Sequence, residues 1–147
     1  MDLFNYPLVS AFVAWAIAQI IKEIAHIIKF HKFSFSVLYA SGGMPSSHSS
    51  SVTALALSIG MTEGFNSALF AVTVWFALVT MYDACGVRRA CGEQAKVLNH
   101  MLDDSKKGLK DEFPKRLKEY IGHTPLQVYM GSLLGIVVAL ILYLIKI

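Results

Sequence analysis

The sequence predicts an all-α protein: an integral membrane helical bundle of about four transmembrane helices with a cytoplasmic polar insertion. Two observations carry that reading. Hydrophobic residues make up 55% of the 147-residue chain and charged residues only 16%, well below the roughly one quarter of an average soluble chain. The charges are also segregated. Residues 85–123 hold nine of the 13 Lys and Arg and six of the ten Asp and Glu, so the remainder is almost wholly apolar, as a chain in lipid with one polar loop requires. The length fits a single membrane domain over residues 1–147.

The first helix covers 7–30, and its part from 7 to 21 is free of charge. Met1-Asp2 lacks the basic start of a secretory signal, so this segment is expected to stay as a membrane helix. Lys22, His26 and Lys29 share one face of it. Ionisable groups on a membrane helix either face a polar cavity or snorkel to the interface, and both readings apply here.

The second helix covers 45–61, short of the roughly 20 residues that cross a hydrocarbon core. Its first turn is rich in serine, and Ser46 or Ser47 can cap it. A short helix of this kind begins below the headgroups, with its serine turn lining a polar pocket. The third helix covers 66–83, with Asn66 as its expected cap. The fourth covers 124–145, capped by Thr124 with Pro125 at its first position. It carries Gly131-Ser132-Leu133-Leu134-Gly135, a small-residue face that allows close helix approach, within the chain or between the copies of a homodimer.

Between the last two helices lies the polar insertion, 85–123. Its stretch 103–120 places Leu109, Phe113 and Leu117 at four-residue spacing among charges, interrupted by Pro114. That reads as a surface-lying amphipathic helix or as a solvated charged linker. Cys85 and Cys91 are six apart and fall on different helix faces, which argues against a disulfide and for small packing residues.

Lys and Arg crowd the loops 29–45 and 85–123, while the N-terminus and Thr62-Glu63-Gly64 carry acid. The positive-inside rule then puts both histidine turns on the cytoplasmic side and both termini outside, in what is expected to be a bacterial cytoplasmic membrane. A net charge of +3 is too mild to argue for nucleic acid and suits loops beside anionic lipid.

Three stretches carry chemistry. Pro45-Ser46-Ser47-His48 offers hydroxyls and free N–H groups at a helix start, where an anion is favoured, and a histidine that can donate a proton near neutral pH. Asp83-Ala84-Cys85-Gly86-Val87-Arg88-Arg89 supplies guanidinium forks that match phosphate oxygens, with Asp83 placed to orient or pair with an arginine. Gly122-His123-Thr124-Pro125 sets a histidine at the start of a capped helix, where it could attack phosphorus and form a phosphohistidine. The plainer readings are structural histidines in turns and arginines that meet headgroups. No Asp, Glu or His cluster has metal-ligand spacing, so neither metal nor cofactor is expected.

These residues resemble the motifs of the type 2 phosphatidic acid phosphatase superfamily, which includes the vanadium-dependent haloperoxidases. They resemble more closely its small divergent branch of acid phosphatase/haloperoxidase-related membrane proteins. The superfamily's first motif has a lysine and, seven positions on, Arg-Pro; here Lys22 is followed by Lys29-Phe30. Its second, Pro-Ser-Gly-His, is matched by Pro45-Ser46-Ser47-His48 except for serine at the glycine. Its third has Ser-Arg, a histidine and an aspartate; Val87-Arg88 would supply the arginine, with valine at the serine, His123 the histidine, and Gln127 stands where the aspartate would be. The resemblance implies His123 as nucleophile, His48 as acid for the leaving group and Arg88 beside them. It implies a phosphate clamp of Lys22, Lys29 and Arg88; the residues' own chemistry adds the serine turn (Ser46, Ser47) and Arg89 as phosphate-binding groups, with Gln127 and Asp83 in support. The implied activity is hydrolysis of a lipid phosphate in the membrane. The alternative is a non-catalytic binder or transporter of phosphorylated lipid that keeps the pocket without the aspartate.

Overall fold

A computed structural model of the chain describes residues 5–33, 42–105, 117 and 122–145. Among them are five helices and no strand: α1 (Tyr6–Phe30), α2 (Ser47–Glu63), α3 (Ala68–Cys85), α4 (Val87–Ser105) and α5 (Pro125–Leu144). Each start has a local cause. The Asn5 side chain accepts the Leu8 N–H and Pro7 lies in the first turn of α1. Ser46 caps α2 by accepting the Ser49 N–H. Thr124 and Gln127 close a capping box on α5. The third helix is capped by Ser67, not Asn66. The Ser67 hydroxyl accepts the Phe70 N–H at 3.1 Å, while Asn66 lies in the turn that precedes it.

Three apolar runs are long enough to cross a membrane: Tyr6–Phe30, Ala68–Asp103 and Pro125–Leu144. The 17-residue α2 packs against α1, α3 and α5. Lipid tails are as apolar as leucine, so a bundle in lipid gains from close packing rather than from escaping water. The contacts here are correspondingly made by small residues. Ala14, Ala18, Ala54 and Ala139 are fully buried, and a Cβ on Gly131 or Gly135 would run into the backbone carbonyl of Ser46 or Ser50. The small-residue face of the last helix is thus the contact of α5 with α2 inside the chain. Two buried hydroxyls find carbonyls across the bundle: Ser50 Oγ donates to Ala14 O at 3.1 Å, and Tyr6 Oη to Ala139 O at 2.8 Å. Each bond satisfies a polar group that lipid could not.

These contacts make an up-and-down bundle. The C-terminal end of α1, the start of α2, the end of α3 and the start of α5 meet at one end. Tyr6 and Tyr143, with ring centroids 6.0 Å apart, mark the other.

The polar insertion begins differently from expectation, because its first part is the helix α4. Gly86 (φ −98°, ψ −90°) leaves helical geometry and separates α3 from α4. Charges at 88, 89, 93 and 96 read as a loop in sequence, yet they share a helix with a largely apolar side. The amphipathic stretch expected at 103–120 lies outside the described residues except for 103–105 and 117. Cys85 is half-buried and Cys91 exposed, both as free thiols; the packing role expected of Cys91 does not hold.

Candidate functional site

The end where four helices meet is built from α2 outward. Ser46 is fully buried, and its hydroxyl takes both the Ser49 N–H at 3.3 Å and the Ser49 hydroxyl at 2.9 Å. Its own N–H donates to Gln127 O at 3.0 Å, which ties the serine turn to the first turn of α5. The N–H groups of Ser47 and His48, in that first turn, have no acceptor within the helix.

From α1, buried Lys22 reaches across so that Nζ donates to Ser47 Oγ at 3.1 Å. Gly43 lies against the lysine stem, 3.6 Å from its Cδ to the position of a Cβ. Its φ of +94° is in the left-handed region that glycine enters at little cost.

The turn before α5 brings in the second histidine. His123 N–H donates to Ala84 O at 2.9 Å, at the end of α3. Gly122, at φ +98°, lies so close to the Arg88–Arg89 backbone that a Cβ would be 2.5 Å from Arg89 N. The arginine and the histidine of the third motif, separated by the whole insertion in sequence, are neighbours in space for this reason.

The His48 and His123 rings stand edge to face, with centroids 6.0 Å apart and an interplanar angle of 79°. His123 is only 2% exposed. Neither of its ring nitrogens has a hydrogen-bond partner among the described residues, nor does His48 Nδ1. Arg88 Nε donates to Asp83 Oδ2 at 2.6 Å. Both side chains are partly exposed, so the pair adds little stability, about 0–1 kcal/mol; its effect is to fix the direction of the guanidinium.

Burial pushes the His123 pKa down to about 4, helped by the positive fields of Lys22, His48 and Arg88. The ring is therefore neutral at pH 7 and keeps a lone pair. The sign of the linkage follows. Folded His123 binds fewer protons than the unfolded chain between about pH 4 and 6.5, so its contribution to stability falls as pH drops through that window. The apparent melting temperature of the reconstituted protein is expected to decline from pH 6.5 to 4, with a shallower decline in His123→Phe. An equal slope in the variant would assign the effect elsewhere.

The structure thus gathers His48, His123, Lys22, Ser47, Arg88 and Asp83. It does not gather Lys29, which is exposed with Nζ 5.3 Å from the centroid of the Phe30 ring, or Arg89, which is also exposed. Lys29 is further along α1 than Lys22, in the helix's last turn. The Ser46 hydroxyl is occupied in capping. Gln127 is engaged in a cap as well, because its Oε1 accepts the Thr124 N–H at 3.0 Å and its amide thereby closes the start of α5. Gln127→Ala is expected to lower stability by about 1 kcal/mol, the loss of a cap, and to leave ligand affinity within about threefold, since 1.4 kcal/mol is tenfold. Denaturation and phosphate titration of the same variant check this; a large loss of affinity at unchanged stability would give the amide a place at the ligand instead. The contributions of the Ala84 carbonyl and of the two positive-φ glycines were not readable in advance, because they depend on how the insertion returns.

Fold and site together define a helical membrane protein with a histidine pair and two cations at one end of its bundle. The chain belongs to the family described as the Divergent PAP2 family, whose model matches residues 3–138. It is similar to the "Uncharacterized membrane protein YuiD" of Bacillus subtilis (strain 168), with 43% identity over 150 residues covering 95% of each chain. No solved structure matches it.

Proposed function

We propose that the protein is a membrane-embedded phosphatase that hydrolyses a lipid phosphate at the cytoplasmic face through a phosphohistidine. The observation that carries this is the histidine pair, whose His48 Nδ1 and both His123 ring nitrogens are buried and have no partner among the described residues, set among Lys22 and Arg88. Buried polar atoms without partners are rare and ask for an occupant. Two cations beside them make that occupant an anion, and the family supports a phosphate.

Each group then has a chemical role. A neutral His123 nitrogen attacks phosphorus, and the bond from phosphorus to the lipid oxygen breaks. His48, in its protonated form, gives that oxygen its proton. Water then attacks the phosphohistidine while His48 takes a proton from it. The phosphorus–nitrogen bond breaks, and phosphate leaves with His123 restored. Lys22 and Arg88 balance the charge on the phosphoryl oxygens throughout, and the first turn of α2 offers N–H groups to them. The charge bias of the loops supports a site on the cytoplasmic side.

A second reading has a specific observation in its favour. No carboxylate is bonded to the His123 ring among the described residues, and the Gln127 amide is engaged in the α5 cap. A pocket without an orienting acid could bind or carry a lipid phosphate without cleaving it. Phosphate release from a panel of lipid phosphates, measured beside orthophosphate binding on the same nanodisc-embedded protein, separates the two. Release establishes the hydrolase, binding without release the carrier, and absence of both sinks each reading.

A further inference from the structure

We propose that α4 is a membrane-surface helix whose apolar side rests on the lipid surface that α3 leaves, so that the Arg88 and His123 end of the site is held at headgroup depth. The proposal does not depend on the chemistry at the histidine pair.

Length sets the first constraint. The run Ala68–Asp103 has 36 residues, about 54 Å at the helical rise, against about 30 Å of hydrocarbon. Roughly its last two fifths cannot lie in the hydrocarbon in line with α3. Gly86, where the backbone leaves helical geometry, is the joint at which α4 can turn onto the surface.

The face of the helix sets the second. At 100° per residue, Val87, Ala90, Val97, Leu98 and Met101 fall on one side of α4, with Gln94 the polar interruption. Val97 is 55% exposed, Leu98 49% and Met101 60%. Arg89, Lys96 and His100 occupy the polar side, and Glu93 lies at its edge, next to Val97. Between the two, buried Asn99 pairs with the main chain of Leu117, its Nδ2 donating to Leu117 O at 2.9 Å and its Oδ1 accepting Leu117 N–H at 3.0 Å. Four of the five described helices pack into the bundle, whereas α4 contacts only α3.

The occupant follows from continuity and charge. On α3 only Ala77 and Ala84 are buried, and the side away from them, with Val72, Trp75, Val79 and Tyr82 exposed, faces lipid. Followed through Gly86, that side becomes the apolar side of α4. Apolar residues opposite Lys and Arg are the pattern of a helix that lies in the interface of an anionic membrane. The consequence for the site is mechanical. Gly122 is seated on the Arg88–Arg89 backbone, so the first turn of α4 and the His123 turn move as one body.

The test uses the full chain in nanodiscs containing brominated phosphatidylglycerol. Single thiols carry an environment-sensitive fluorophore: native Cys91 in Cys85→Ser, and Val97→Cys, Leu98→Cys and Lys96→Cys in a background lacking both cysteines. Cys91 adjoins the apolar side and needs no change to it. The expected result is blue-shifted, bromolipid-quenched emission at 91, 97 and 98, and water-like, unquenched emission at 96. Equal emission at all positions, whether quenched or not, would overturn the proposal. So would an intermolecular Leu98→Cys disulfide in place of quenching, which would make the face a contact between copies.

Discussion

Replacing His123 by alanine is expected to lower phosphate release by on the order of 10⁴-fold or more, the scale seen when an enzyme loses its nucleophile, while orthophosphate still binds. The two halves of this result have separate causes. The nucleophile is the His123 ring, while His48, the other ring at the site, carries the proton transfer. The turn is held by the main chain, through His123 N–H on Ala84 O and Gly122 on the Arg88–Arg89 backbone, and neither contact uses the side chain. Lys22 keeps its bond to Ser47 and Arg88 its bond to Asp83, so the cations stay where they are. The ring makes no hydrogen bond among the described residues, so its removal leaves no new unpaired group. Release within tenfold of wild type would remove His123 from the nucleophile's role. Loss of binding together with release would mean that the ring positions the anion rather than attacking it.

How much of this was legible in the sequence follows from which interactions are local. The starts of α2 and α5 could be read because capping is a contact over three residues, as with Ser46 to Ser49 and Thr124 to Gln127. The third cap went to Ser67, because two capping residues stand side by side and the turn after Gly64 decides between them. The histidine turns were found because a Gly, Pro or Ser turn before an apolar run is a local signal. Their meeting is not local. It depends on Gly131 and Gly135 letting α2 approach α5, and on Gly122 letting the returning chain touch α4. The same reasoning explains Gln127. Its place in the motif suggested a partner for His123, yet three residues from Thr124 it completes a capping box, and that short-range bond prevails in the structure. In α4 the charges hid an apolar side that only a helical reading of 87–105 reveals.

The second large effect is expected at Gly131, where leucine should both unfold the protein more easily and disable the site. Helix propensity argues the other way, since replacing glycine in a helix by a better former gains up to about 1 kcal/mol. Packing decides against it. A Cβ at Gly131 would overlap the Ser46 carbonyl, and one at Gly135 the Ser50 carbonyl. Those atoms are backbone and cannot swing aside like a side-chain end, so α2 must move away from α5. Overpacking of this kind costs about 1–3 kcal/mol and at times more, which exceeds the propensity gain. The displacement starts at Ser46, whose N–H bond to Gln127 O adjoins the Lys22–Ser47 contact and His48. A shift of about 1 Å there is enough for a 10²-fold loss of function. Ser132→Leu, on the next and only half-buried position, is the control and should be far milder. The measurements are thermal unfolding in nanodiscs, orthophosphate binding and crosslinking between copies in membranes, for both variants. If Gly131→Leu matched wild type in both, α2 and α5 would not be in contact. If it left unfolding unchanged and abolished crosslinking between copies, the glycine face would belong to a homodimer, and the chain's own helices would be held together by something other than their small residues.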